Sequence, residues 1–227
     1  MESGSSNMIT EIEGDLFDAP DGAVLIHACN CKGLWSAGIA RAFRNKYPAA
    51  FEVYRSHCRS LLDRPKYATA PPAETDSCDR IRKPRILRLP EGTALIIPPQ
   101  ERDYLPGLVR QPQRYRGGNT RSRATDTKQG ERKKKHWIVC LFTSRGFGRT
   151  VSPPDVILKN TTLAVEDMIR QLEELRDSAE DNRSEDKPGE LWSCRFNSGL
   201  FAVDWKDSQK ILEESGLKVT VIHPPGE

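Results

Sequence analysis

The sequence predicts an α/β fold in which helices cover both faces of a mixed, largely parallel sheet. Nearly unbroken apolar runs at residues 23–28, 92–99 and 137–143 are typical of strands buried on both faces. Apolar residues recur with a helical period at residues 39–58 and 157–175. Because strands alternate with helices along the chain, a three-layer α/β/α arrangement is favoured.

Each element has its own local signal. A proline, Pro48, interrupts the first helical stripe, so this segment is either two consecutive helices or one broken helix. Gly216 is a typical residue just beyond a helix end and follows a predicted helix at residues 207–215. The remaining predicted strands are residues 9–12, 191–197 and 217–222.

Two polar insertions interrupt this pattern, at residues 59–91 and 101–136. Within the first, residues 63–90 are polar and contain several prolines, which predicts a loop. Residues 102–136 carry a net charge of +8, which leaves −5 for the rest of a chain whose total is +3. This basic tract is poor in apolar residues, which predicts disorder, with nucleic-acid binding as the alternative. Only Tyr104 and Tyr115 are available there for stacking on bases, so we do not expect nucleic acid as a partner.

The rest of the composition favours one intracellular domain. We expect residues 1–8 to be disordered and residues 9–227 to form a single domain that is monomeric. No apolar run approaches the ~20 residues that span a membrane, and no signal peptide is visible. The six scattered cysteines indicate reduced thiols and a cytoplasmic or nuclear location. Their spacing matches no zinc motif, which predicts no metal.

The loop at residues 30–38 is the strongest functional signal. It is polar, carries glycine, follows a buried strand and opens a helix, which is a favourable place for backbone N–H groups to hold a phosphate. It contains neither a Walker A motif nor GxGxxG, which argues against a triphosphatase or a dinucleotide dehydrogenase.

Three segments resemble the macro domain family, which binds ADP-ribose. They read EGDLFDAPDGAVLIHACNCKGLWSAGIARA from Glu13, LFTSRGFGR from Leu141 and NSGLFAVDW from Asn197. Within the family they look most like the fungal ADP-ribose 1''-phosphate phosphatases. The resemblance implies a macro domain fold and hydrolysis of a terminal phosphomonoester to ADP-ribose and phosphate, with no cofactor. Two alternatives remain open, which are removal of ADP-ribose from protein side chains and non-catalytic reading of ADP-ribosylated proteins.

The resemblance also implies ligand contacts. It assigns Asp15 to the adenine amine and Asn30 to the distal ribose, with an N-cap and a turn-forming asparagine as the respective alternatives. Trp35 is expected either to cover the distal ribose or to cap the core. The implied ligand-binding residues are Asp15, Leu16, Asn30, Gly33, Trp35, Ser36, Ala37, Gly38, Ile39, Ser144, Arg145, Phe147, Asn197, Ser198, Gly199, Leu200 and Phe201.

The candidate catalytic residues are His27, Asn30 and Asp204. Histidine suits proton transfer near neutral pH, but one within an apolar strand is also a common core residue. Asp204 is either an acid–base group or a helix N-cap. Arg145 and Arg149 could hold the terminal phosphate. A related glycohydrolase uses an acid and a lysine, and Phe201 and Arg145 stand in the corresponding segments here, which argues against that covalent mechanism.

Overall fold

A six-stranded mixed sheet forms the centre of the protein. The computed structural model describes residues 8–70, 84–105, 134–181 and 187–226, and within them the sheet has the order β1-β8-β7-β2-β6-β5. The strands of the sheet are β1 (Ile9–Glu13), β2 (Val24–Asn30), β5 (Ala94–Ile97), β6 (Trp137–Ser144), β7 (Leu191–Cys194) and β8 (Val219–His223).

Five of these strands run parallel, and β5 is antiparallel to β6. The neighbouring strands β2 and β6 are apolar along nearly their whole length because both of their faces are covered. Their pairing shifts register after Cys29, so that Asn30 is opposite Ser144 where the two strands end. This register brings the loops that follow both strands together.

Helices cover the two faces of the sheet in separate layers. One layer consists of α1 (Gly38–Lys46), α2 (Pro48–Asp63) and the short α3 (Glu101–Tyr104), and α1 and α2 supply buried aromatic residues against one face. The other layer consists of α4 (Pro154–Asp181) and α5 (Trp205–Glu214). Pro48 begins α2, so the broken stripe is two consecutive helices.

The first polar insertion is more ordered than the sequence predicts. Helix α2 continues to Asp63, and β3 (Tyr67–Thr69) pairs antiparallel with β4 (Ile86–Arg88) in a separate two-stranded sheet. The prediction of a loop over residues 63–90 is therefore wrong at β3 and β4. Composition misled it, since short exposed strands carry no apolar alternation. Helix α4 likewise extends beyond its apolar stripe, into the charged segment that begins at residue 178.

Other predictions fall outside the described residues. These are the disorder of residues 1–7 and the behaviour of the basic tract over residues 106–133. Among the described residues, no helix is both long enough and apolar enough to cross a bilayer.

Candidate ligand-binding site

The candidate site lies along one edge of the sheet. Strands β1, β8, β7, β2 and β6 are parallel, so their carboxyl ends share this edge, where ligands collect in open α/β sheets. Four strand spacings separate β1 from β6, a distance of about 19 Å. An elongated ligand can therefore span the edge from Asp15, after β1, to Arg145, after β6.

The first loop, residues 31–38, is folded around Asn30. The Asn30 side chain donates from Nδ2 to the Leu34 carbonyl at 2.7 Å and accepts at Oδ1 from the Lys32 amide at 2.9 Å. Tyr54 donates its hydroxyl proton to the Asn30 carbonyl at 2.6 Å. Asn30 is buried and its amide closes its own loop, as in the turn-forming alternative. The structure thus shows a positioning role for Asn30, while its catalytic and ribose-binding roles stay predictions.

Two glycines allow this loop to adopt its path. Gly33 has φ +72°, and a Cβ there would lie 3.2 Å from Cys58 Cβ, because the loop packs directly on α2. Gly38 has φ +54° at the start of α1. Ser36, Ala37, Gly38 and Ile39 are all exposed, so their main chain is accessible to a ligand.

The second loop, residues 197–203, is anchored by Asn197. This residue has φ +66° and is buried. Its side chain accepts from the Thr143 hydroxyl at 2.8 Å and donates to the hydroxyls of Thr161 at 3.0 Å and Ser208 at 3.1 Å. The side chain of Asn197 is therefore committed to the core, and any ligand contact here comes from the main chain of the loop.

The two loops meet above the sheet edge. A Cβ on Gly38 would lie 3.6 Å from Leu200 Cδ1, and 64% of Leu200 is exposed. Ser198 and Gly199 are exposed and Phe201 is half-buried. The loops therefore flank a common space, as the sequence predicts, with Leu200 at its rim.

A third loop follows β6. Ser144 is fully buried, donates its hydroxyl proton to the Gly146 carbonyl at 3.0 Å and accepts from the Ser152 amide at 3.0 Å. Gly146 cannot carry a side chain, because its Cβ would clash with the Thr150 carbonyl. Phe147 is 40% exposed, so its ring is available to a ligand, whereas Ser144 only shapes the loop.

The other end of the edge carries Asp15. Its carboxylate is exposed and caps a short 3-10 helix, Leu16–Asp18, by accepting from the Phe17 amide at 2.9 Å. The capping alternative is therefore realised, while the exposed carboxylate remains accessible. The Leu16 side chain is buried in the core, so only its main chain could contact a ligand.

His27 and Trp35 belong to the core between β2 and helices α1 and α2. His27 has no exposed surface and stacks on Phe43 with ring centroids 4.1 Å apart. Trp35 is 1% exposed and stacks on Tyr54 at 4.9 Å. Because neither side chain reaches the surface, His27 is a packing residue and not the predicted acid–base group, and Trp35 caps the core, which is one of its two predicted roles.

Folding also brings together three possible metal ligands that their sequence spacing does not reveal. His27, Cys29 and Cys140 are all buried, and their donor atoms lie within 4.8 Å of one another. Burial raises the pKa of Cys29 well above its ordinary value, which favours the thiol over the metal-binding thiolate. The cluster is thus a set of packed core side chains, and the absence of a metal stays a prediction.

The sequence analysis missed Glu91, which fixes Arg145. Glu91 is buried, and its carboxylate accepts from Arg145 at 2.6 Å, from Asn160 at 3.1 Å and from Arg85 at 3.4 Å. The Arg145 side chain remains 50% exposed. Only the isolated acid in a Pro-Glu-Gly turn could have drawn attention to this residue.

Asp204 caps α5 by accepting from the Lys206 amide at 3.0 Å and is exposed. Asp204 is therefore a helix N-cap, which is one of its two predicted roles. Its role in acid–base chemistry stays a prediction.

No protein-family model matches the sequence, but individual proteins do. The chain is 56% identical over 218 residues to the ADP-ribose 1''-phosphate phosphatase of Aspergillus fumigatus, covering 96% of this chain and 95% of that protein. It is 50% identical over 221 residues to the protein of that name from Aspergillus oryzae, covering 96% and 94%. The chain belongs to this family of fungal ADP-ribose 1''-phosphate phosphatases.

The comparison of structures confirms the macro domain fold. The macrodomain of Mycobacterium tuberculosis DarG superimposes with a TM-score of 0.55 at 17% identity, covering 95% of this chain and 97% of that one. The predicted family and the three-layer fold are therefore both confirmed.

Proposed function

We propose that this protein hydrolyses ADP-ribose 1''-phosphate to ADP-ribose and phosphate. The observation that carries the proposal is its 56% identity, over nearly the whole of both chains, to a protein named for this activity. In the reaction a water oxygen bonds to phosphorus, the bond between phosphorus and the ribose 1'' oxygen breaks, and the proton from water goes to the new ribose hydroxyl.

The geometry of the sheet edge supports this substrate. The exposed main chain of residues 36–39 and the loop at residues 197–203 flank a space suited to the diphosphate. Asp15 lies at the β1 end for the adenine, and Arg145 lies at the β6 end for the terminal phosphate. Positioning and electrostatic stabilisation account for most of phosphoryl-transfer catalysis, and these residues supply both.

The buried cysteines do not favour a phosphocysteine intermediate. Cys31 lines a cavity together with Arg145, and its amide donates to the Ser144 carbonyl at 3.1 Å. Burial raises its pKa well above the ordinary value, so the thiol stays protonated. Direct attack by water is the simpler route.

We further propose that the protein acts as a monomer inside the cell. Among the described residues the five cysteines are all free thiols, which suits a reducing compartment. ADP-ribosylated proteins are a second class of partner to test, and cell fractionation would test the location.

The deciding experiment is phosphate release from ADP-ribose 1''-phosphate, with two matched glycine variants. Gly38→Val places a side chain between the two loops, whereas Gly22→Val alters a glycine with φ +79° and open surroundings before the start of β2. We expect at least a tenfold fall in kcat/KM for Gly38→Val and less than a twofold change for Gly22→Val. Tight ADP-ribose binding without phosphate release by the wild type would overturn the phosphatase proposal and favour a reader or a protein de-ADP-ribosylating enzyme.

A further inference from the structure

A small cavity opens at the β6 end of the candidate site. Cys31 and Lys32, which follow β2, and Arg145, which follows β6, form one side of it. The other side comes from the first polar insertion, through the last turn of α2 and the end of β4. Its residues there are Leu62, Arg88 and Leu89. The cavity therefore lies between the ends of β2 and β6 on one side and the first polar insertion on the other.

The lining of this cavity is strongly positive. Three of its six residues, Lys32, Arg88 and Arg145, are cations, and none is an acid. Glu91 is not part of the lining, but its carboxylate pairs with Arg145 and with Arg85. Cys31 contributes no negative charge, because burial raises the pKa of its thiol. Glu91 therefore compensates the charge of Arg145, whereas no acid in the lining accompanies Lys32 or Arg88.

Like charges around one cavity repel one another, and an anion bound between them would relieve this repulsion. Glu91 holds the Arg145 guanidinium through one nitrogen, at 2.6 Å, which fixes its orientation before any ligand binds. An arginine has five donors and a planar fork that matches a phosphate, so the remaining donors can contact the ligand. Leu62 and Leu89 add apolar walls that would strengthen these contacts by excluding water.

We propose that this cavity binds the terminal phosphate of the substrate, with Lys32, Arg88 and Arg145 as its ligands. The inference rests on the proposed function and deepens it, since it assigns the group that distinguishes the substrate from the product. Arg149, the other arginine expected at this phosphate, does not line the cavity in the described structure. The first insertion thereby becomes the source of specificity for a phosphorylated ribose.

The test compares Arg88→Gln and Lys32→Gln with Lys159→Gln in the full chain. We expect the first two to lower kcat/KM for ADP-ribose 1''-phosphate at least tenfold and to change ADP-ribose affinity less than twofold, because ADP-ribose lacks the terminal phosphate. Lys159→Gln, which alters an exposed lysine of α4 outside the cavity lining, should change kcat/KM less than twofold. If phosphate release by Arg88→Gln and Lys32→Gln equals that of the wild type, the assignment is wrong.

A second measurement separates this inference from the proposed function. Calorimetry with inorganic phosphate at low ionic strength requires no turnover. Wild-type binding weakened at least fivefold by Arg88→Gln would support the cavity as a phosphate site even if the wild type released no phosphate from the substrate. Equal binding by wild type and Arg88→Gln, or no binding by either, would overturn the site whatever the activity.

Discussion

Replacing Glu91 with glutamine should destabilise the protein by about 2 kcal/mol. The side chain of Glu91 is 5% exposed and accepts a 2.6 Å charge-assisted bond from Arg145. Such bonds contribute about 1.5–3 kcal/mol each. Breaking a fully buried pair costs about 3–5 kcal/mol, but Arg145 and Arg85 are 50% and 32% exposed and can be rehydrated. The expected loss therefore lies below that range.

The assay is urea unfolding at pH 7, with Glu52→Gln as the matched control. Glu52 pairs with Arg55 at 3.6 Å, but its side chain is 65% exposed, so its replacement should cost less than about 0.5 kcal/mol. If Glu91→Gln also stays within about 0.5 kcal/mol of the wild type, the desolvation of the carboxylate cancels its pairing and our account of Arg145 is refuted. Because Arg145 would lose its anchor, Glu91→Gln should also lower kcat/KM for the phosphorylated substrate.

Three further predictions follow from the same structure. His27→Ala should lower the free energy of unfolding by about 2–4 kcal/mol because a buried ring is lost. The folded variant should keep kcat within twofold of the wild type, and a hundredfold loss of kcat in folded protein would restore the catalytic assignment of His27. In thermal unfolding, Gly146→Ala should destabilise the protein by about 1–3 kcal/mol because its methyl group meets the Thr150 carbonyl. Gly199→Ala, with open space around it, should destabilise the protein much less in the same assay. Burial lowers the pKa of His136, so at mildly acidic pH the unfolded chain binds a proton more readily than the folded protein does. The free energy of unfolding should therefore fall as the pH drops from about 7.5 to 5.5. His136→Asn should flatten this dependence in denaturation at the two pH values, and an unchanged slope would count against the buried neutral imidazole.

Much of the fold could be predicted from the sequence because buried parallel strands are locally conspicuous. The apolar runs of β2 and β6 and the stripe of α4 need only hydrophobicity and period to be found. The short strands β3 and β4 escaped prediction because they are three residues long and mostly exposed. Their pairing depends on the chain around them.

The candidate site, too, could be predicted only in part from the sequence. The loops after β2, β6 and β7 could be placed at one edge, since parallel strands bring their carboxyl ends together. The roles of individual side chains could not, because His27, Trp35 and Asn197 carry polar groups whose accessibility depends on what packs over them. The sequence marks them as candidates, and burial removes them from the surface.

The sequence by itself determined the family, the strand and helix pattern and the loops that flank the ligand, because these are properties of contiguous residues. Only the tertiary structure decided that Glu91 fixes Arg145 and that Lys32 and Arg88 share a cavity with it. These residues come from separate segments of the chain. Their charges act on one another only across the short distances that folding creates.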